Sequence, residues 1–256
     1  MTDLAHPPAG SIAALRRAGR ALTPARIGLG RTGISLETRD LLDFQRSHAL
    51  ARDAVHARLE SAPLAASLTG IVGGEVLILR SAAPDRTAYL QRPDLGRILS
   101  QTSRDLLTQR SKETEFDLAL TVVDGLSALA VERHAAPLIA ELLPHLGGWR
   151  LAPVCVAEQG RVAIGDEIGA AMRAQAAVVH IGERPGLSSP DSLGAYITWA
   201  PQPGRADAER NCVSNIRTEG LSYALAAAQI AAILAEARRC RLTGVALKSG
   251  TKRIEG

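Results

Sequence analysis

Three polar clusters hold the residues of this chain best suited to gripping a ligand: Arg161 to Gly169, Ile181 to Leu193 and Asn211 to Ile216. Each follows or interrupts an apolar run, and loops so placed carry chemistry more often than packing does. In the second cluster, Pro185 and Gly186 make a tight turn that exposes backbone N–H groups, while the Glu183 carboxylate can accept hydrogen bonds from amides. A surface ion pair between Glu183 and Arg184 is the plainer use of the same residues. Asp124-Gly-Leu-Ser127 is a further candidate, because it too follows a strand-like run, and open parallel sheets bind ligands beyond the carboxyl ends of their strands.

Other chemistries fit less well. Gly28-Leu-Gly-Arg-Thr-Gly33 has the spacing of a dinucleotide-binding turn, and Asp53 follows at the distance expected of a ribose-binding acid. That fingerprint needs an apolar strand before it and its acid at the end of a second strand. Here Thr23 to Ile27 is short and basic, and Asp53 falls within a helical pattern, so a glycine-rich turn before a helix is the better reading. Gly125-Leu-Ser-Ala-Leu129 lacks the second glycine of a nucleophile elbow. The six histidines show no His-x-x-x-His or His-Glu-x-x-His spacing. Cys155, Cys212 and Cys240 are widely spaced and odd in number, which fits a reducing compartment. No convincing acid–base or nucleophile constellation emerges, and no metal ligand is assigned.

The elements that would position these clusters can be read from periodicity. Leu41, Phe44, His48, Ala51, Val55 and Leu59 recur at helical spacing, which predicts an amphipathic helix from about Glu37 to Glu60. His48 lies on its apolar stripe and reads as a hydrogen-bonded core or interface histidine. Strands are expected at Glu75 to Arg80, Asp117 to Val123, Trp149 to Val156, Ala176 to Ile181 and Ala195 to Ala200. Helices are expected from Ser127, with Pro137 breaking or restarting the run, from about Asp166 to Ala174, and from Leu221 to Cys240. The alternation predicts an α/β fold: a mainly parallel, Rossmann-like sheet with helices on both faces. Residues 1–75 read as an N-terminal arm and small helical domain, and residues 76–256 as the α/β domain.

Composition narrows the class. An apolar fraction of 46% over 256 residues can fill a substantial core, and no run approaches a membrane span of roughly 18 apolar residues. Met1 to Gly10 lacks the apolar stretch of a secretory signal, so the chain is expected inside the cell. A net charge of +4 invites a nucleic-acid reading, but with 3% aromatic residues there are few stacking platforms. Arg16, Arg17, Arg20, Arg26 and Arg31 form one local excess, read as a partner-docking or solvated arm.

Several segments in order resemble one family. Thr23 to Gly33, Leu41 to Gln45 with His48, Tyr89 to Arg97, Val123 to Ser127 and the three clusters are together similar to the small (light) subunit of adenosylcobalamin-dependent ethanolamine ammonia-lyase, over roughly Thr23 to Lys248. The resemblance implies a hetero-oligomer in which this subunit and a large one enclose adenosylcobalamin. The substrate would lie in the large subunit, so no catalytic residue is assigned to this chain. Cofactor contacts fall at positions matching Val162, Glu183 and Cys212: apolar contact, acceptance of corrin amide N–H groups, and a small group at close approach. No histidine here has the Asp-x-His context of proteins that replace the cofactor's own base, so base-on cobalamin is expected. Neither nucleic acid nor membrane is an implied partner. The implied location is the bacterial cytoplasm, with Ser11 to Ala18 a short amphipathic segment that could serve microcompartment association. The competing readings are a stand-alone nucleotide-binding α/β regulator using Gly28 to Gly33, and an interaction subunit without a ligand.

Overall fold

The computed structural model describes residues 12–250 apart from 24 and 111–114. Met1 to Ser11, including the stretch read above as lacking a secretory signal, lies outside the described residues. The chain divides into two compact units, Met1–Asp53 with Gly186–Ser189 and Ala54–Pro185 with Pro190–Gly256.

The first unit contains α1 (Ile12–Leu22), a small hairpin of β1 (Arg31–Thr32) and β2 (Ser35–Leu36), and most of α2 (Thr38–His56). The dinucleotide-like glycines shape the approach to this hairpin and its turn: Gly28 and Gly33 have φ of +59° and +65°, a region that glycine enters without penalty. Asp40 accepts hydrogen bonds from the Gly30 N–H at 3.1 Å and Arg20 at 3.3 Å, and Asp43 pairs with Arg26 at 2.9 Å. Two members of the basic excess are thus neutralised locally. Helix α2 stops four residues short of the predicted end. The start of its apolar stripe is open, with Leu41 and Phe44 exposed. His48 is stacked on the Phe44 ring at 6.2 Å instead of sitting in a core.

The second unit continues with α3 (Ser61–Val72), β3 (Val76–Arg80), α4 (Arg86–Gln91), α5 (Gln101–Arg110), β4 (Phe116–Val123), α6 (Ala128–Leu142), β5 (Val154–Glu158), α7 (Ile164–Ala171), β6 (Ala174–Gly182), β7 (Leu193–Trp199), β8 (Asn211–Ile216), α8 (Tyr223–Cys240) and α9 (Val245–Gly250). Six strands form one sheet in the order β3-β5-β4-β6-β7-β8. The first four are parallel, whereas β7 runs antiparallel to both β6 and β8, so the sheet is mixed. The connections explain the change. Parallel neighbours need a crossover, supplied here by α4 with α5, by α6 and by α7, whereas β6, β7 and β8 are joined without an α-helix.

Alternation along the central strands builds two cores. Leu118, Leu120 and Val122 of β4 face one core with Leu68 of α3, Leu138 of α6 and Ile230 of α8. Ala119 and Val123 face the other, with Leu107 of α5 and Ile168 of α7. Helices therefore cover both faces. Ser127 starts α6 by accepting the Ala130 N–H at 3.2 Å. The helix then runs unbroken through Pro137, which forfeits one backbone hydrogen bond.

Three local expectations need correction. Strand β5 begins at Val154, not Trp149; Leu151 makes only an isolated bridge to Leu118. Helix α7 starts at Ile164 and ends by Ala171, because Arg173 turns into the left-handed region at φ 51°. Asn211 to Ile216, read as a polar loop, is the edge strand β8. It alternates at first, with Asn211 and Val213 buried and Cys212 and Ser214 exposed, and the alternation shifts by one at Asn215, after which Ile216 is buried.

Candidate functional site

At the carboxyl ends of β4, β5 and β6 the sheet opens a concavity of about 400 Å³. The turn after β4 supplies Gly125 and Leu126, the turn after β5 supplies Arg161 and Val162, and the end of β6 supplies Ile181, Gly182, Glu183 and Arg184. Tyr89 of α4 and Tyr196 of β7 close its sides. Two of the sequence candidates, the Asp124 turn and the Glu183 segment, thus meet at one rim, as their positions after strands implied. Close backbone approach joins them: the Leu126 N–H donates to the Gly182 carbonyl at 2.9 Å. A Cβ on Gly182 would stand 2.0 Å from the Ser127 carbonyl oxygen, so only glycine fits there.

Glu183 is half-buried, and its carboxylate is held in place. Ser192 Oγ donates to it at 2.5 Å, and the Asn215 N–H donates more weakly at 3.4 Å. A Cβ on Gly194 would come within 2.8 Å of Glu183 Oε1, so that glycine leaves room for the carboxylate. These partners replace the ion pair with Arg184, which is exposed. Oxygens held this way remain acceptors for N–H groups entering the concavity.

Val162 lines the same concavity and packs on the core beneath it. Cys212 is not part of that lining. It is exposed on β8, opposite Tyr196 in the β7–β8 register. Of the three residues singled out by resemblance, Val162 and Glu183 therefore line one concavity, while Cys212 lies outside its lining.

Beneath the concavity lies a network that sequence reasoning did not isolate. Asp124 is buried and accepts hydrogen bonds from the Gly160 N–H at 3.1 Å and Arg86 Nη1 at 3.3 Å. Burial raises its carboxyl to about 6, against the pull of the Arg86 guanidinium. Arg86 and Arg161 lie over the Tyr89 ring, 4.7 and 4.2 Å from its centroid. The Tyr89 hydroxyl donates to the Gly160 carbonyl at 3.1 Å. A signal for this was present: the chain has three tyrosines, and two of them, Tyr89 and Tyr196, line this one concavity.

Other candidates are absorbed by structure. Ser127 Oγ donates to the Pro190 carbonyl at 2.9 Å while capping α6, which leaves it no role as a nucleophile. Burial pushes the Cys155 thiol up to about 12 and His180 down to about 4, so both are neutral near pH 7. Among the described residues no group of three or more His, Cys, Asp or Glu could hold a metal ion, and no helix is long and apolar enough to cross a membrane.

Fold and rim define a class: an α/β protein with a mixed sheet whose parallel strands end at an open crevice, where proteins of this architecture bind ligands. A model of the family described as ethanolamine ammonia-lyase light chain (EutC) matches residues 14–248. The ethanolamine ammonia-lyase small subunit of Pseudomonas aeruginosa (strain LESB58) is 54% identical over 233 residues, covering 90% of this chain and 85% of the relative. That of Xanthomonas campestris pv. campestris (strain B100) is 56% identical over 238 residues, covering 91% and 87%. The chain belongs to the ethanolamine ammonia-lyase light-chain family and is a subunit of a lyase.

Proposed function

We propose that this chain, together with a large subunit, encloses base-on adenosylcobalamin for the conversion of ethanolamine to acetaldehyde and ammonia. When bound, the cofactor supplies the homolytic cobalt–carbon chemistry and the adenosyl radical that abstracts hydrogen from ethanolamine. The substrate site belongs to the large subunit, and this chain contributes no catalytic group. The α/β part, residues 76–256, is the cobalamin-binding domain, Rossmann-like in its parallel half, and follows a helical N-terminal domain over residues 1–75. The complex is a cytoplasmic hetero-oligomer.

The carrying observation is that Val162 and Glu183 line one concavity, with Cys212 beside its Tyr196 wall. The residues suit a corrinoid chemically. Leu126, Val162 and Ile181 offer apolar contact for a flat macrocycle, and Glu183 offers oriented acceptors for peripheral amide N–H groups. Tyr89 and Tyr196 shield the sides from water. The concavity is open, which leaves the other face of a large cofactor to a second chain.

Coexpression with and without a large subunit tests the proposal. The two-subunit complex should retain adenosylcobalamin, visible by its absorbance, and release ammonia from ethanolamine, while this chain alone should do neither. A complex that binds no cobalamin, or a lone chain that turns over, sinks it. Electron paramagnetic resonance of the Co(II) state tests the axial base: its splitting should follow nitrogen-15 in the benzimidazole, and splitting that follows labelled histidine overturns that part.

A further inference from the structure

We infer that Arg86 and Asp124 are positioning residues that fix the rim of the concavity and thereby set its affinity for its ligand. For a cobalamin ligand this rests on the function proposed above. The pair is almost completely sequestered, with side chains 6% and 1% exposed. Its contacts reach three separate segments of the wall. Asp124 Oδ1 accepts the Gly160 N–H at 3.1 Å, just before Arg161 and Val162. Arg86 Nη1 donates to the Gly125 carbonyl at 2.8 Å, next to Leu126. Arg86 itself opens α4, and one turn later Tyr89 reaches Gly160. Five lining residues, Tyr89, Gly125, Leu126, Arg161 and Val162, therefore hang on one ion pair. Arg86 Nε is also spent, donating to the Val55 carbonyl at 2.7 Å.

A pair this deep is a poor device for stability alone. Two charges taken from water regain their hydration only when every hydrogen bond is made, and apolar residues of similar size commonly do as well or better. What apolar residues cannot do is prescribe the separation and orientation of three backbone segments at once. Here the charges act as a jig: carboxylate and guanidinium together address the Gly160 N–H, the Gly125 carbonyl and the Val55 carbonyl from one fixed point.

The test uses the assembled two-subunit complex. The variant Arg86→Met/Asp124→Asn removes both charges without stranding either, and the carboxamide that replaces the carboxylate can still accept the Gly160 N–H. Exposed Arg239→Ala is the control. Three quantities are read: adenosylcobalamin affinity by visible absorbance, kcat at saturating cofactor, and hydrogen exchange at Leu126 and Gly160 in the cofactor-free complex. The double variant should bind cofactor about tenfold or more weakly, keep kcat within about twofold, and exchange both amides faster. Wild-type affinity in an assembled double variant overturns the inference, as does a fall in kcat at unchanged affinity. Should the double variant fail to assemble, Arg86→Lys keeps the charge but cannot reach all the acceptors, and unchanged affinity there is equally fatal. A wild-type complex that takes up no cobalamin refutes the proposed function instead, and amide exchange then decides by itself whether the pair orders the rim.

Discussion

Glu183 is the residue on which the cofactor assignment can be tested most directly. Losing a hydrogen bond with a charged partner costs about 1.5 to 3 kcal/mol, so Glu183→Ala should raise the KM for adenosylcobalamin roughly tenfold or more while kcat at saturation holds. An unchanged cofactor KM in an assembled complex removes Glu183 from the site. Ser192→Ala frees the same carboxylate from its 2.5 Å tether and should move KM in the same direction by a smaller factor. Asp124 carries a pH signature. Its folded value of about 6 lies above the ordinary 3.8, so the folded state holds the proton more tightly than the unfolded chain. Its contribution to stability is then fully present below about pH 4 and lost as pH rises through about 6. Denaturant titrations should show the wild type losing ground to Asp124→Asn across that window; a flat or opposite trend contradicts the assignment.

Among the elements, the junction of β6 with the turn after β4 is the tightest. A Cβ on Gly182 meets the Ser127 and Asp124 carbonyl oxygens at 2.0 and 2.6 Å, both of them backbone atoms that cannot swing aside. Gly182→Ala should therefore destabilise the fold by about 1–3 kcal/mol, read as a lower melting temperature. Gly147→Ala, where no atom lies within 4 Å, serves as the comparison and should be nearly silent. If the two variants melt alike, the close approach of these segments is not as described. Strand β8 illustrates a different property of elements. Its residues, Asn211-Cys-Val-Ser-Asn-Ile216, look like loop text, yet pairing with β7 makes them a strand that turns Asn211, Val213 and Ile216 inward.

For the molecule as a whole, membership of a family whose relatives are named small subunits implies a larger partner subunit. The purified chain should release no ammonia from ethanolamine at any cofactor concentration, and activity free of contaminating large subunit would refute that. The amphipathic start of the chain bears on location. Residues 1–22 fused to a fluorescent reporter in a compartment-forming host should leave the reporter diffuse; encapsulation would show that this short segment suffices for targeting.

Local rules were enough for much of this. Apolar runs marked β4 and β6, Ser127 marked the start of α6 although Pro137 did not break it, and the pattern from Leu221 to Cys240 marked α8, because burial on one or both faces imposes a period that single residues report. The position of Glu183 after a strand likewise pointed to the rim before any coordinates. Strand direction was not legible: β7 reads like its parallel neighbours, and only the helix-free connections on either side of it reverse it and then return β8 to the common direction. Nor could sequence spacing reveal the pair Arg86 and Asp124, or that Cys212 would stand behind Tyr196 instead of lining the concavity. Those relations join residues far apart in the chain, and they exist only once the parallel strands bring their ends to one edge, where desolvation and close backbone contact decide which polar groups must meet.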